Sequence, residues 1–310
     1  IMPSLVGSEM CIRDSIRRNF VFQNIPIYGA YVNLSENYEA LLSHQHYPEA
    51  IKRHLAAGLA TLVLYAGLRQ GNVEDITLEI QGNGPVKEMQ MGASTYGTCF
   101  AELDFVAQDF PLSSSQPSLG ELFGEGASAM IGYENAEREA TWLNVSPLGA
   151  KVEDLMKSYL KQEYLNAGFY FAVGKNKLQG LMLYYDLSKP ITQGGVDALE
   201  RNWQEITRIA RQFSNRKRLI KGTSSHFLRQ LFAGYPVTFF APHTINFRCR
   251  CHYSTMEKIV RETGLEAFQE ELKKLGSISL KCKNCGKEYV FEENEVSELL
   301  KDNKKPDAPF

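Results

Sequence analysis

Four of the six cysteines fall in two short stretches, FRCRCHYS at 247–254 and LKCKNCGKEY at 280–289. They form the pattern Cys249-x-Cys251, thirty intervening residues, then Cys282-x-x-Cys285. Four thiolates in two close pairs are the donor set of a tetrahedral structural zinc site. The x-x spacing lets a tight turn aim both sulfurs at one ion, and Gly286 follows where such a turn needs an unusual backbone angle. The one-residue spacing of the first pair also serves if the backbone bends. We therefore expect Cys249, Cys251, Cys282 and Cys285 to bind one Zn2+ per chain. His252 adjoins the set, but four cysteines already complete it. The same thiols have a second chemistry. Arg248, Arg250, Lys281, Lys283 and Lys287 flank them, and cationic neighbours favour the thiolate that oxidants attack. Oxidation would consume the ligands and release the metal. Cys99 stands alone in a strand-like stretch and reads as a small core residue.

The elements around the cysteines are modest. Residues 246–300 form a module of about 55 residues, a size at which an apolar core alone is marginal. Bound zinc can contribute roughly 10–16 kcal/mol of apparent folding free energy, so the metal would decide whether the module folds. Ser254 and Glu257 match a capping box, with Met256, Ile259 and Val260 as apolar contacts. A second helix carries Leu265, Phe268, Leu272 and Leu275 and stops at Gly276. SISLKCKNCGKEYVF reads as a hairpin with the second cysteine pair at its turn. The tail 301–310 reads as disordered.

Upstream, residues 16–186 read as a mixed α/β domain with a central sheet. FVFQNIPIYGAYVNL suggests two short strands around a turn. SENYEALLSHQHYP suggests a helix opened by Ser35. PEAIKRHLAAGLATLVLYAGLRQG places proline at a helix start and Gly71 at its end; its apolar residues run nearly all round, as in a helix packed inside a domain. EDITLEIQGNGPVKEMQMG reads as a hairpin. Residues 187–245 differ in texture and read as a helical linker. There Val196, Leu199, Trp203, Ile206, Ala210 and Phe213 share one helical face. If the cysteine module unfolds, that face loses its support. Trp203, Ile206 and Phe213 then become the candidate surface for binding other unfolded chains. The fold class is thus α+β: an α/β domain, a helical linker and a small zinc module.

The chain of 310 residues is 44% hydrophobic and 23% charged, with a formal net charge of −2. Nothing in these totals draws it to nucleic acid or to an anionic membrane. The most apolar run, Leu55 to Leu68, lies between Arg53 and Arg69 and falls short of the ~20 residues of a membrane span. The start, PSLVGSEMCIRDS within residues 1–15, resembles a translated cloning adapter, and we set residues 1–15 aside as foreign to the fold. With no secretory signal, a reducing cytoplasm is the expected compartment, where clustered cysteines mean metal or redox chemistry.

On the residues FRCRC and CKNCGKEYVF, with the lead-in SSHFLRQLFAGYPVTFFAPHTIN, the chain resembles the heat shock protein 33 family, the redox-regulated holdase chaperones of bacteria. YPEAIKRHLAAGLATLVLYAGLRQG and ITLEIQGNGPVKEMQ extend the resemblance into the first domain. It implies that Cys249, Cys251, Cys282 and Cys285 bind zinc when reduced and form Cys249–Cys251 and Cys282–Cys285 disulfides on oxidation. It implies further that the linker then unfolds, and that the protein, able to dimerise when oxidised, holds unfolding clients without ATP and is no enzyme. Two other classes share parts of the pattern. A zinc-ribbon adaptor for nucleic acid or protein would use the basic run 216–221, against which stand the many acidic residues of the module. A thiol–disulfide oxidoreductase would use the CxxC alone, without the βαβ context such enzymes have.

Overall fold

The computed structural model describes residues 15–302 except 44–46, 70–72, 107–115, 136, 138, 146–148, 150, 175–176, 190–194, 215–222, 250 and 283–285. The chain divides into two compact units, the first ending at Arg248 and the second starting at Cys249.

Unit 1 is built around one buried helix. Strands β1 (Ile16–Phe22) and β2 (Tyr28–Asn33) form an antiparallel hairpin. Helix α1 (Ser35–Ser43) follows, then α2 (Glu49–Ala66). Every α2 residue from His54 to Ala66 is buried, which explains why its apolar residues go all round. It separates two sheets. Strands β3 (Val73–Gln81), β4 (Val86–Ser94), β5 (Thr98–Phe105), β6 (Ser128–Asn135) and β7 (Ala140–Val145) belong to one sheet, ordered β5-β4-β3-β6-β7. Strands β8 (Leu165–Gly174) and β9 (Lys177–Asp186) join the hairpin in the other, ordered β1-β2-β9-β8. Small residues permit the close approach. A Cβ on Gly58 would sit 2.3 Å from Met91 Cε of the first sheet, and one on Gly180 would sit 3.3 Å from Ala60 Cβ. Helices α3 (Leu119–Phe123) and α4 (Val152–Gln162) complete this core.

The helix end expected at Gly71 comes earlier. α2 stops at Ala66 with Gly67 after it, and Gly71 lies outside the described residues. Two β1 side chains serve the terminal carbonyls, which a helix cannot satisfy itself. Arg17 Nη1 donates to Val63 O at 3.4 Å, and Asn19 Nδ2 donates to Gly67 O at 2.9 Å. A guanidinium at this end also complements the helix dipole. Ser15, grouped by the sequence with the foreign segment, is buried; its Oγ accepts from Asn37 N and its carbonyl from Ile245 N. Residues 1–14 lie outside the described residues.

The far face of the β1-β2-β9-β8 sheet is covered by α5 (Gly195–Ser214) and α6 (Ser224–Leu231). Leu199, Ile206, Ala210 and Phe213 of α5 are buried against Phe20, Phe22, Tyr31, Leu181 and Leu183. Val196, expected on the same face, is 68% exposed; it lies in the first turn, before the helix meets the sheet. The segment 187–245 is not helical throughout. β10 (Val237–Phe239) and β11 (His243–Thr244) pair with β1, and β12 (Asn246–Phe247) runs parallel to β5. Among the described residues, no helix is long and apolar enough to cross a membrane.

Unit 2 contains α7 (Tyr253–Thr263), α8 (Leu265–Leu275), the hairpin β13 (Ser277–Lys281) and β14 (Glu288–Glu292), and α9 (Glu293–Asp302). Met256, Val260, Leu272, Ile278, Tyr289, Phe291, Val296 and Leu299 form its small core. The capping box expected at Ser254 is not formed: the N-cap lies two residues earlier, at His252, with no side-chain bond there. Leu275, expected in the core, is 71% exposed.

Candidate metal centre

The hairpin and the approach to α7 bring the cysteines together. Cys282 directly follows β13. Its N–H donates to Lys287 O, and its carbonyl accepts from Gly286 N, both at 2.9 Å. Gly286 takes φ +68°, a left-handed angle that only glycine adopts without steric cost. This closes the turn and presents the Cys282 sulfur to the chain entering α7, where Cys249 and Cys251 lie.

The sulfurs of Cys249, Cys251 and Cys282 all lie within 4.8 Å of one another. Cys249 Sγ and Cys282 Sγ are 3.6 Å apart. Tetrahedral zinc with bonds near 2.3 Å needs sulfurs about 3.8 Å apart, whereas a disulfide needs about 2.05 Å. The three thiols are therefore spaced as ligands of one ion. Cys282 is buried and the other two are half-buried. Cys285, the expected fourth ligand, lies outside the described residues. His252 is not among the converging groups.

The electrostatics differ from the expectation that basic neighbours dominate. Burial, followed by the neighbouring thiols, pushes the Cys249 thiol well above its ordinary range. Lys287 directs its ammonium over the Tyr289 ring, 4.8 Å from the centroid; Arg250 and Lys283 lie outside the described residues. Three crowded, partly buried sulfurs resist sharing negative charge, so a bound cation is what lets them ionise together.

Sequence reasoning missed one member of this centre. The Tyr289 hydroxyl lies 3.1 Å from Cys251 Sγ and 3.0 Å from Cys251 O, placed to donate to either. Its only sequence signal was an aromatic residue on the inward face of a predicted strand. Groups hydrogen-bonded to metal ligands typically contribute about 10–100-fold to affinity. Tyr289→Phe is accordingly expected to weaken zinc binding by about 10-fold with little change in secondary structure, as read by chelator competition; unchanged affinity would show that the hydroxyl only packs.

The profile of the family described as Hsp33 protein matches residues 15–292. The chain belongs to the Hsp33 family. Its curated relatives include the 33 kDa chaperonin of Neisseria meningitidis serogroup B, 27% identical over 292 residues, covering 93% of this chain and 92% of that one. Another is the 33 kDa chaperonin of Chromobacterium violaceum, 25% identical and covering 93% and 94%. The crystal structure of the 33 kDa chaperonin of Thermotoga maritima matches with a TM-score of 0.67 at 18% identity, covering 94% of this chain and 99% of that one, and so shares the fold. Hsp33 proteins are redox-regulated chaperones rather than enzymes, and unfolded proteins are their clients. The oxidoreductase and nucleic-acid adaptor readings give way to that family function.

The candidate client-binding residues lie in unit 1. Ile206 and Phe213 are fully buried, and Trp203 packs edge-on to Tyr185 with ring centroids 5.0 Å apart. Cys99 is buried as expected and accepts from Asn37 Nδ2 at 3.4 Å. Burial pushes its thiol up to about 12, which leaves it protonated and inert.

Proposed function

We propose that this chain is an ATP-independent holdase switched on when its cysteine centre is oxidised. In the reduced form Cys249, Cys251, Cys282 and Cys285 hold one Zn2+. The convergence of three sulfurs at ligand spacing carries this reading. The bound ion would supply the folding free energy that unit 2's small core lacks.

Oxidation forms Cys249–Cys251 and Cys282–Cys285 disulfides. Each S–S bond removes two electrons and two protons from two thiols, and a peroxide-class or hypochlorous oxidant accepts the electrons. Unit 2 then loses its ligand set and unfolds. Only Arg248 separates β12 from Cys249, so disorder is passed directly to the chain that leads back to α6 and α5. Release of α5 exposes Trp203, Ile206 and Phe213, together with the sheet face beneath, as the client surface. We assign residues 16–186 to the α/β domain, 187–245 to the switching segment and 246–300 to the zinc domain. The active form pairs into a homodimer, works in the cytoplasm, and uses neither nucleic acid nor membrane.

The test follows zinc release and aggregation of a thermally unfolding client together as peroxide or hypochlorous acid is added. One zinc released per chain, with client protection appearing alongside, is the expected result. Equal protection by the reduced protein would rule out the switch.

A further inference from the structure

Three tyrosine hydroxyls meet inside unit 1, brought there by α2, β6 and α4. Tyr65 Oη lies 3.1 Å from Tyr133 Oη, and Tyr133 Oη is in direct hydrogen-bond contact with Tyr159 Oη. The Tyr133 and Tyr159 rings have centroids 6.3 Å apart and planes 38° from parallel; Tyr65 and Tyr159 are nearly perpendicular, at 76°. The Arg69 guanidinium covers the faces of Tyr65 and Tyr133 at 5.2 and 4.9 Å and is held by Glu163 at 2.9 Å. Tyr65 and Tyr159 are each 1% exposed, while Tyr133 is only half-buried. Burial raises the phenols of Tyr65 and Tyr159 well above their ordinary range, so both keep their protons.

We propose that this triad is an oxidative modification site, at which one-electron oxidants join Tyr133 to Tyr159 by a carbon–carbon bond. The oxidants are small radicals of the nitrogen dioxide or carbonate class. Two of them each take one electron, and each phenol loses its hydroxyl proton to solvent. The two phenoxyl radicals couple at carbons ortho to their oxygens. The two displaced ring hydrogens then move to the oxygens, restoring both phenols. In sum, two electrons and two protons leave and one bond forms.

Geometry selects the pair. Phenoxyl spin resides on the oxygen and the ortho carbons, and those carbons flank the Tyr133–Tyr159 hydroxyl contact. Tyr133 offers the exposed edge at which a small radical arrives. Tyr159 is fixed beside it, so coupling within the chain outpaces encounter between chains. The bond staples β6 to α4 across unit 1, on elements remote in sequence from the cysteines. On the proposed function, oxidative stress would thereby hold the α2 core together while it opens the cysteine centre.

The experiment treats the full reduced, metal-loaded chain with peroxynitrite in bicarbonate buffer, which generates both radicals. Dityrosine fluorescence and tandem mass spectrometry of the digest are the readouts. The expected product is one cross-linked peptide pair containing Tyr133 and Tyr159, lighter than its parts by two hydrogens, with a yield independent of protein concentration. Tyr133→Phe and Tyr159→Phe should each lower the signal by about 10-fold or more, since the proximity advantage is lost; Tyr65→Phe should retain it. The wild-type peptide map decides the matter even if a variant folds poorly. Nitrated Tyr133 without a cross-link, or cross-links between chains at exposed Tyr96 or Tyr164, would overturn the proposal.

Discussion

Cys282→Ser is expected to abolish zinc binding and unfold residues 249–302 while the core of unit 1 around α2 stays folded. The sulfur of Cys282 is the buried member of the centre and stands 3.6 Å from that of Cys249. A serine hydroxyl does not ionise at neutral pH and leaves the ion one charged donor short. Metal coordination of this kind contributes roughly 10–16 kcal/mol, whereas a whole domain has about 5–15 kcal/mol of net stability. The small core around Val260, Ile278 and Phe291 cannot make up that loss. Unit 1 has a separate and much larger core around α2. Hydrogen exchange resolved by peptide, with zinc counted on the same sample, checks the expectation. Full protection of 249–302 in the zinc-free variant would mean that the metal does not support this fold.

The second large effect concerns the cover over the sheet. Ile206→Asp should make the reduced, zinc-loaded protein hold clients without any oxidant. Ile206 is completely buried between α5 and the sheet. Shortening a buried isoleucine costs about 2–5 kcal/mol, and a carboxylate left without a partner there adds several more. Only Leu199, Ile206, Thr207, Ala210 and Phe213 of the 20 residues in α5 are buried, so the helix has little else to keep it docked. Most of an amphipathic helix's stability comes from packing its apolar face, which an undocked α5 loses. Its release uncovers Phe20, Phe22, Tyr31, Leu181 and Leu183 as one apolar face. Suppression of client aggregation under reducing conditions is the readout. Val196→Asp, on the same helix but 68% exposed, should behave as wild type. If exchange shows α5 open in Ile206→Asp and clients still aggregate, this face is not where they bind.

Local pattern carried the reading wherever the physics is local. The ligand spacing of Cys249 and Cys251, the turn at Gly286, the seam from Leu199 to Phe213 and the all-round apolar character of α2 are each set by residues within a few positions of one another. Helix period and turn stereochemistry act over that range. The reading failed at ends and in short pieces. β10, β11 and β12 have three, two and two residues, too few to show a period, and exist because β1 and β5 offer open edges to pair with. α9 was missed although Val296 and Leu299 have helical spacing. The box at Ser254 lost to a helix that starts at Tyr253.

By itself, then, the sequence determined that this is an α+β chain with a cysteine cluster able to hold a metal and the marks of the Hsp33 family. Only the tertiary structure decided which other distant side chains meet: Tyr289 with Cys251, Arg17 with the end of α2, and Tyr65 with Tyr133 and Tyr159. Spacing along a chain limits what neighbours can do. Contacts across tens of residues are chosen by the packing of whole elements, and that packing has no local signature.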